Sequence, residues 1–184
     1  MNILGIAGSL RKDSYNKKLL AHAAGVAKSL GEDIRIHDLI DLPVYNADVE
    51  AAGFPPAVAK FREAVEWADA VVIVTPEYNN SISGVLKNAI DWASTSGNKW
   101  SGKVAAIMGG TVGAFGTVLA QAHLRQILVI LNVIVVPTPF VYVPRIQDAF
   151  DAQGNFTNEI AAKAVEGLLK RLFETTGALK GIGK

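Results

Sequence analysis

The chain has 184 residues, of which 50% are hydrophobic and 19% are charged, with a formal net charge of +1 and no cysteine. The missing cysteine excludes disulfides, thiolate metal sites and cysteine nucleophiles. The balanced charge gives no general attraction to nucleic acid or to anionic membranes. The length predicts a single domain over residues 1–184, and the three widely spaced histidines do not favour a metal site.

No segment has the pattern of a targeting or membrane-spanning sequence. The chain enters an apolar run at Ile3 without a preceding basic region, which is untypical of a signal peptide. The longest apolar stretch, Ile127–Val136, is interrupted by Asn132 and falls short of the roughly 20 residues that a membrane helix needs. We therefore expect a cytoplasmic protein that does not cross a membrane.

Along the chain, uncharged runs alternate with segments of helical spacing. Strands are predicted at Asn2–Ala7, Asp33–His37, Ala70–Thr75, Val104–Met108 and Val133–Val136. Helices are predicted at Leu19–Leu30, Val58–Ala68, Ile82–Ala93, Leu119–Leu131 and Ile160–Phe173. The small, basic segment Gly177–Lys184 is expected to fray.

Four of the predicted strands carry no charge, which indicates that helices cover both faces of a parallel sheet. The second strand alternates polar and apolar residues and therefore suits an edge. This favours a five-stranded α/β sheet of order 2-1-3-4-5. Ligands of such sheets bind beyond the carboxyl ends of the strands, between strands one and three.

The loop after strand one, Gly8–Asn16, offers donors for a phosphate group. The loop contains the hydroxyls of Ser9 and Ser14, the amide of Asn16 and the guanidinium of Arg11, and the next helix supplies the free N–H groups of its first turn. The alternative is that Ser14 only caps the helix and Arg11 is a solvated loop residue.

The loop after strand three, Thr75–Ser81, could bind the edge of a planar heterocycle. Pro76 fixes the turn, Tyr78 has a flat face and a hydroxyl, and Asn79 offers both donors and an acceptor. The alternative is an ordinary turn followed by a helix cap at Ser81.

The loop after strand four, Gly109–Gly116, contains four glycines in eight residues. Glycine permits close approach of backbone to a ligand and also unusual dihedral angles. The alternative is a flexible turn without a ligand.

In combination, these segments resemble the NADPH-dependent FMN reductase family, and within it the bacterial quinone and chromate reductases. The resemblance covers nearly the whole chain, to about residue 173. The segments that carry it are Gly8–Arg11, Ser14–Asn16, Leu42–Asn46, Pro76–Asn79 and Gly84–Trp92.

The resemblance implies a flavodoxin-like three-layer fold, bound FMN, and reduction of quinones, chromate or other small acceptors by NADPH or NADH. The residues that match the family's FMN site are Ser9, Arg11, Ser14, Tyr15, Asn16, Pro76, Glu77, Tyr78, Asn79, Gly110 and Gly113. Lys12 and Arg145 are candidates for recognition of the extra phosphate of NADPH. Homodimers or homotetramers are implied, and the third predicted helix with Trp92 is the candidate interface, with core packing of Trp92 as the alternative.

The chemistry implied by the resemblance belongs to the flavin and follows a ping-pong order. No residue is therefore predicted as an acid–base catalyst. Tyr78 is expected to form a wall of the acceptor site, and Glu77 to hold its loop through an ion pair. Two other functions stay open at this point, namely an electron-carrying flavodoxin and a flavin-free binding module.

Overall fold

A parallel β-sheet forms the centre of the computed structural model, which describes residues 1–182. Its strands are β1 (Ile3–Ala7), β2 (Ile34–His37), β3 (Ala70–Val74), β4 (Val104–Gly110), β5 (Ile134–Val135) and β6 (Val141–Val143). The strand order is β2-β1-β3-β4-β5, with β6 paired to β4. The predicted order is confirmed, and the fold is flavodoxin-like.

Residues 1–182 contain six α-helices, five of which cover the two faces of the sheet. They are α1 (Tyr15–Ser29), α2 (Ala47–Ala51), α3 (Pro56–Trp67), α4 (Gly84–Ser94), α5 (Val118–Ile130) and α6 (Glu159–Ile182). A short 3-10 helix, Ile146–Ala149, follows β6. Within residues 1–182, no helix combines the length and the apolar character required to cross a membrane.

Side-chain alternation along the strands divides the core into two layers. Ile3 and Val72 point into the layer that α1 and α6 cover. Leu4 and Val71 point into the layer that α3, α4 and α5 cover. Because successive side chains of a strand face opposite sides, a strand buried on both faces has to be apolar throughout, which is why the uncharged runs were informative.

The outer edge of β4 is shared between two short strands. Val104 and Ala105 pair with β5, whereas Met108–Gly110 pair with β6. β6 was not predicted because three residues beside Pro144 give too short a pattern. β4 itself continues to Gly110, two residues beyond its predicted end, since its final residues find a partner in β6.

The helical ends also differ from the predictions. α2 was missed because it is only five residues long and buries none of them. α6 continues to Ile182, although fraying was expected from Gly177. Within this helix the Thr176 side chain is buried and its hydroxyl donates to the Leu172 carbonyl at 2.7 Å, and Lys180 forms an ion pair with Asp69. Residues 183–184 of the expected frayed segment lie outside the described range.

Candidate functional site

A cleft lies at the carboxyl ends of β1, β3 and β4, which is the switch point predicted from the strand order. Its lining residues are Ser9, Arg11, Ser14, Tyr15, Asn16, Pro76, Glu77, Tyr78, Gly110, Thr111, Val112 and Ile146. The structure thus brings together all of the predicted site residues except Asn79 and Gly113. The cleft contains about 510 Å³ of empty space, open solvent included.

The loop after β1 presents hydrogen-bond donors to the cleft. Ser14 is the N-cap of α1, and its hydroxyl oxygen accepts from the Lys17 N–H at 3.4 Å. Capping leaves the hydroxyl proton free to donate to a ligand. The N–H groups of Tyr15 and Asn16, in the first turn, donate to no group within residues 1–182. Free N–H groups at the positive end of a helix favour an anion.

Ser9 and Arg11 add to this set of donors. Ser9 is 5% exposed, and its hydroxyl has no partner within residues 1–182. Arg11 is exposed, lines the cleft and forms no ion pair in that part of the chain. The Ser9 hydroxyl and the Arg11 guanidinium therefore line the same cleft with donors that are available to an anionic ligand.

Asn16 serves a different purpose from the expected phosphate contact. Its Nδ2 donates to the Gly110 carbonyl and its Oδ1 accepts from the Gly110 N–H, both at 3.0 Å. The side chain is buried and joins the loop after β1 to the end of β4. Both ends of the amide are engaged, so the side chain is a link between two walls of the cleft.

The loop after β3 forms a tight hairpin. Tyr78 and Ser81 exchange two backbone hydrogen bonds of 3.0 Å. Between them, Asn79 and Asn80 have φ values of 50° and 62°, which is the left-handed pair required by a two-residue hairpin of this kind. Asn79 therefore shapes the turn instead of lining the cleft. Tyr78, 52% exposed, stands at the mouth of the cleft.

Glu77 is held by a helix N-terminus. Its Oε2 accepts from the Ala120 N–H at 2.8 Å, in the first turn of α5, whose N-cap Thr117 makes no side-chain capping bond. The predicted structural role is thus present, but the predicted ion pair is wrong. The positive end of the helix and its free N–H supply what a cation would have supplied.

Ser83, and not Ser81, caps the helix after this hairpin. The Ser83 hydroxyl accepts from the Leu86 N–H at 3.1 Å and donates to the Gly8 carbonyl at 2.7 Å. One side chain therefore starts α4 and fixes the loop after β1. Ser81 instead contacts His123 of α5, with Oγ and Nδ1 separated by 2.7 Å.

The glycines at the end of β4 and in the loop after it are required for different reasons. A Cβ on Gly109 would lie 2.0 Å from the Thr75 carbonyl oxygen, and one on Gly110 would lie 2.4 Å from Ile146 Cδ1. Both are required by packing within the protein, not by a ligand. Gly113 has no neighbour closer than 3.7 Å to such a Cβ and does not line the cleft, so its predicted contact with the flavin has no support in this geometry.

Three lining residues were not predicted, namely Thr111, Val112 and Ile146. Ile146 reaches the cleft because β6 runs alongside β4. The Ile146 N–H donates to the Thr111 carbonyl at 2.9 Å. An isolated isoleucine after an undetected strand gives no signal in the sequence. Thr111 and Val112 lay within the glycine-rich loop and could have been included with it.

Trp92 belongs to the core. It is fully buried, and its Nε1 donates to the Pro43 carbonyl at 2.8 Å. The alternative of core packing was therefore correct for this residue, and the interface assignment was wrong. A side chain without exposed surface cannot contact a second subunit.

The residues of the cleft fit FMN. The unpaired Ser9 hydroxyl, the free N–H groups that begin α1 and the Arg11 guanidinium form a donor set suited to a phosphate monoester. The buried Pro76 and the aromatic Tyr78 supply flat, largely apolar walls for a ring system. No group of three or more His, Asp or Glu residues in the described part of the chain could hold a metal ion.

Comparison with known proteins identifies relatives over almost the full length. The family described as NADPH-dependent FMN reductase matches residues 1–148. An NAD(P)H-dependent FMN reductase of Pseudomonas aeruginosa is 47% identical over 182 residues, 98% of each chain. A 2-hydroxy-1,4-benzoquinone reductase of a Burkholderia species is 38% identical over 173 residues, 93% of each chain. The structure of FerB, an NAD(P)H:(acceptor) oxidoreductase from Paracoccus denitrificans, matches with a TM-score of 0.83 and 36% identity, over 96% of this chain and 97% of that one.

Proposed function

The chain belongs to the NADPH-dependent FMN reductase family, and from that premise we propose that it is an NAD(P)H:quinone oxidoreductase with FMN bound in the cleft described above. Family membership makes it an NAD(P)H-dependent reductase that uses FMN. The observation that carries the proposal is the convergence of three loops at one switch point, with unpaired donors at one side of the cleft and an exposed tyrosine at its mouth.

We assign the FMN phosphate to the loop after β1. Ser9, Ser14 and Arg11, with the N–H groups of Tyr15 and Asn16, would surround it with donors and positive charge. Pro76, Tyr78 and the backbone at Gly110 would border the ring. Glu77 and the Asn16 side chain would keep these walls in place through their bonds to Ala120 and Gly110.

The acceptor is proposed to be a quinone, in keeping with the activities for which the relatives are named. Bound FMN takes up a hydride from the nicotinamide and delivers two electrons to an acceptor. The chain's part is to hold flat molecules at the mouth, where the ring of Tyr78 is available for stacking.

We propose a ping-pong order as well, and the same geometry supports it. Glu77 is the one carboxylate among the described lining residues, and it is bonded to a helix N-terminus. The nicotinamide and the acceptor would then use one open mouth in turn, without an acid or base from the chain. Because such a mouth selects weakly among acceptors, chromate is proposed as a further one.

A homodimer or homotetramer is proposed as the working form. One exposed apolar surface is a groove formed by Leu10, Leu42, Val44 and Val85, beside the cleft. A second lies on α5, where the exposed apolar side chains are Val118, Leu119, Val129 and Ile130. Val44 and Ile130 are 85% and 84% exposed. Two separate apolar surfaces are typical of subunit contacts. The cytoplasm is the proposed location, since it supplies NAD(P)H and the cysteine-free composition suits it.

The test is the visible absorption spectrum of the purified protein under anaerobic conditions. We expect a flavin spectrum that bleaches when NADPH is added and returns when a benzoquinone follows. A flavin spectrum that persists with NADPH and NADH would indicate an electron carrier. A colourless protein that gains no flavin when FMN is supplied would indicate a binding module, and either result would contradict the proposal.

Sedimentation of the same sample tests the oligomeric state. A mass of 19.5 kDa, the value for one chain, would contradict the proposed assembly. The pattern of initial rates against both substrates tests the kinetic order. Parallel double-reciprocal lines are expected for ping-pong, whereas intersecting lines would contradict it.

A further inference from the structure

Arg145 occupies a strained backbone position next to Ile146, a lining residue of the cleft. It lies between β6 and the 3-10 helix, with φ 42° and ψ 50° in the left-handed region. Residues with a Cβ rarely adopt this conformation. Strain of this kind persists only where neighbouring structure imposes it, and it is concentrated at ligand-binding positions.

Two hydrogen bonds impose the conformation. The Arg145 N–H donates to the Gly113 carbonyl and the next N–H, from Ile146, donates to the Thr111 carbonyl, each at 2.9 Å. Ile146 and Thr111 both line the cleft. The backbone of Arg145 is thereby bonded to the loop after β4, one residue before the lining residue Ile146.

The charge of Arg145 is unsatisfied by the protein. The residue is exposed, and within residues 1–182 its guanidinium forms no hydrogen bond or ion pair. Lys17 and Lys87, by comparison, are paired with Asp38 and Asp91. A free guanidinium offers a planar fork of donors that matches a phosphate group.

The position separates Arg145 from the loop assigned to the FMN phosphate. That loop follows β1, whereas Arg145 follows β6, which pairs with β4. Because β3 and β4 lie between β1 and β6 and strands are about 4.8 Å apart, the two positions are about 14 Å apart along the sheet. Arg145 is therefore placed to bind a second phosphate, from a ligand that enters the mouth of the same cleft.

Resting on the proposed function, we propose that the Arg145 guanidinium binds the 2′-phosphate of NADPH and gives this chain its preference for NADPH over NADH. The 2′-phosphate is the group that distinguishes the two reductants. Arg11, which lines the cleft on the opposite side, serves the FMN phosphate.

The experiment measures binding of NADP⁺ and NAD⁺ to the FMN-loaded protein by calorimetry. These oxidised forms do not react with the oxidised protein, so the measurement does not depend on turnover. The neutral variant is Arg145→Asn, because asparagine tolerates the left-handed region. Arg145→Lys keeps the charge without the fork, and Arg171→Ala removes an exposed arginine on α6 as the matched control.

We expect the wild type to prefer NADP⁺, and Arg145→Asn to reduce the ratio of the NAD⁺ and NADP⁺ dissociation constants about tenfold. Arg145→Lys should restore part of the ratio, Arg171→Ala should keep it, and added salt should lower it. The ratio of kcat/KM values for NADPH and NADH should fall in parallel. The inference is overturned by a wild type that does not discriminate, by an unchanged ratio in Arg145→Asn, or by Lys12→Ala causing the loss instead. A wild type that retains no FMN would contradict the proposed function itself, a result distinguishable from all of these.

Discussion

At the amino end of the sheet, charged side chains are bonded within the chain, whereas at the carboxyl end several donors are left open. At the amino end, the Asp69 carboxylate accepts from the Asn2 N–H at 2.8 Å and from Lys180. The Lys103 ammonium donates to the Ala68 carbonyl at 2.6 Å. At the carboxyl end, Ser9 and Arg11 have no such partners in the described chain.

The pKa values of Asp69 and Lys103, at the amino end, reflect their burial and their bonds within the chain. Burial pushes the pKa of Asp69 up, but hydrogen bonds from the Asn2 N–H and Lys180 outweigh it, and the net pKa is lowered. Burial lowers the pKa of Lys103, against the attraction of Asp69 and Glu66. Both ends of the sheet are thus polar, and what marks the functional end is the presence of donors without a protein partner.

The largest effect is expected at Gly109, where the close approach of β3 and β4 supports the carboxyl end of the sheet. Gly109→Ala would place a Cβ 2.0 Å from the Thr75 carbonyl oxygen, so β3 and β4 would have to separate. We expect a loss of about 3 kcal/mol or more in the free energy of unfolding, measured by urea denaturation. The control, Gly113→Ala, should stay within about 0.5 kcal/mol of the wild type. Equal losses of unfolding free energy in the two variants would show that the close approach of β3 and β4 at Gly109 is not what makes this position sensitive.

The comparison of the two ends is tested most directly by removing one cation from each. Arg11→Ala should weaken FMN binding by about 1.5–3 kcal/mol through loss of a charge-assisted contact. Lys180→Ala, at the amino end, should leave the FMN affinity unchanged because its charge is paired with Asp69. Fluorescence titration of the apoprotein with FMN measures both. An unchanged affinity in Arg11→Ala would remove Arg11 from the phosphate site.

Variants of Tyr78 test how much an aromatic ring at the mouth of the cleft contributes to reaction with the acceptor. Tyr78→Ala should reduce kcat/KM for a benzoquinone about tenfold, since an aromatic contact of about 1.4 kcal/mol is lost. FMN retention should change less than this. Tyr78→Phe keeps the ring face and should retain most of the activity. Loss of flavin with normal kinetics in the remaining holoprotein would show that Tyr78 supports the cofactor instead.

Glu77 lies at the carboxyl end of the sheet, but its side chain is hydrogen-bonded within the chain, as the Asp69 side chain is at the amino end. Glu77→Ala leaves the Ala120 N–H and the positive end of α5 without a partner. The free energy of unfolding should fall by about 1 kcal/mol. Glu77→Gln retains an acceptor and should lose about half as much. Denaturation of the two variants side by side provides the measurement, and a larger loss in the glutamine variant would contradict the capping role.

The smallest effect concerns acid sensitivity at the amino end. The folded-state pKa of Asp69 lies below its ordinary value of 3.8. Its stabilising contribution is therefore complete only well above pH 3.8, the unfolded-state value, and is lost as the pH falls through the folded-state pKa. The stability difference between wild type and Asp69→Asn should shrink from about pH 5 to about pH 2. Urea denaturation across this range measures it, and a difference that grows toward low pH would reverse the assigned sign.

Local pattern was enough to place most of the fold and of the candidate cleft. The uncharged runs at Ala70–Val74 and Ile3–Ala7 identified strands buried on both faces, and the polar loops after them identified the binding edge. The pattern failed for β6, which is three residues long, and for α2, which buries nothing. Short elements give too few periods for alternation or helical spacing to be detected.

The sequence by itself determined the parallel sheet, its order and the set of residues at its carboxyl edge, because strand burial and loop chemistry are written in local composition. Only the tertiary structure decided the task of each residue in that set. Asn16, Glu77, Ser9 and Arg11 are all polar. The side chains of Asn16 and Glu77 are hydrogen-bonded to Gly110 and Ala120. Those of Ser9 and Arg11 have no partner in the described chain. The Gly110 partner of Asn16 lies 94 residues away along the chain, and such a partner becomes known only when distant loops are brought together.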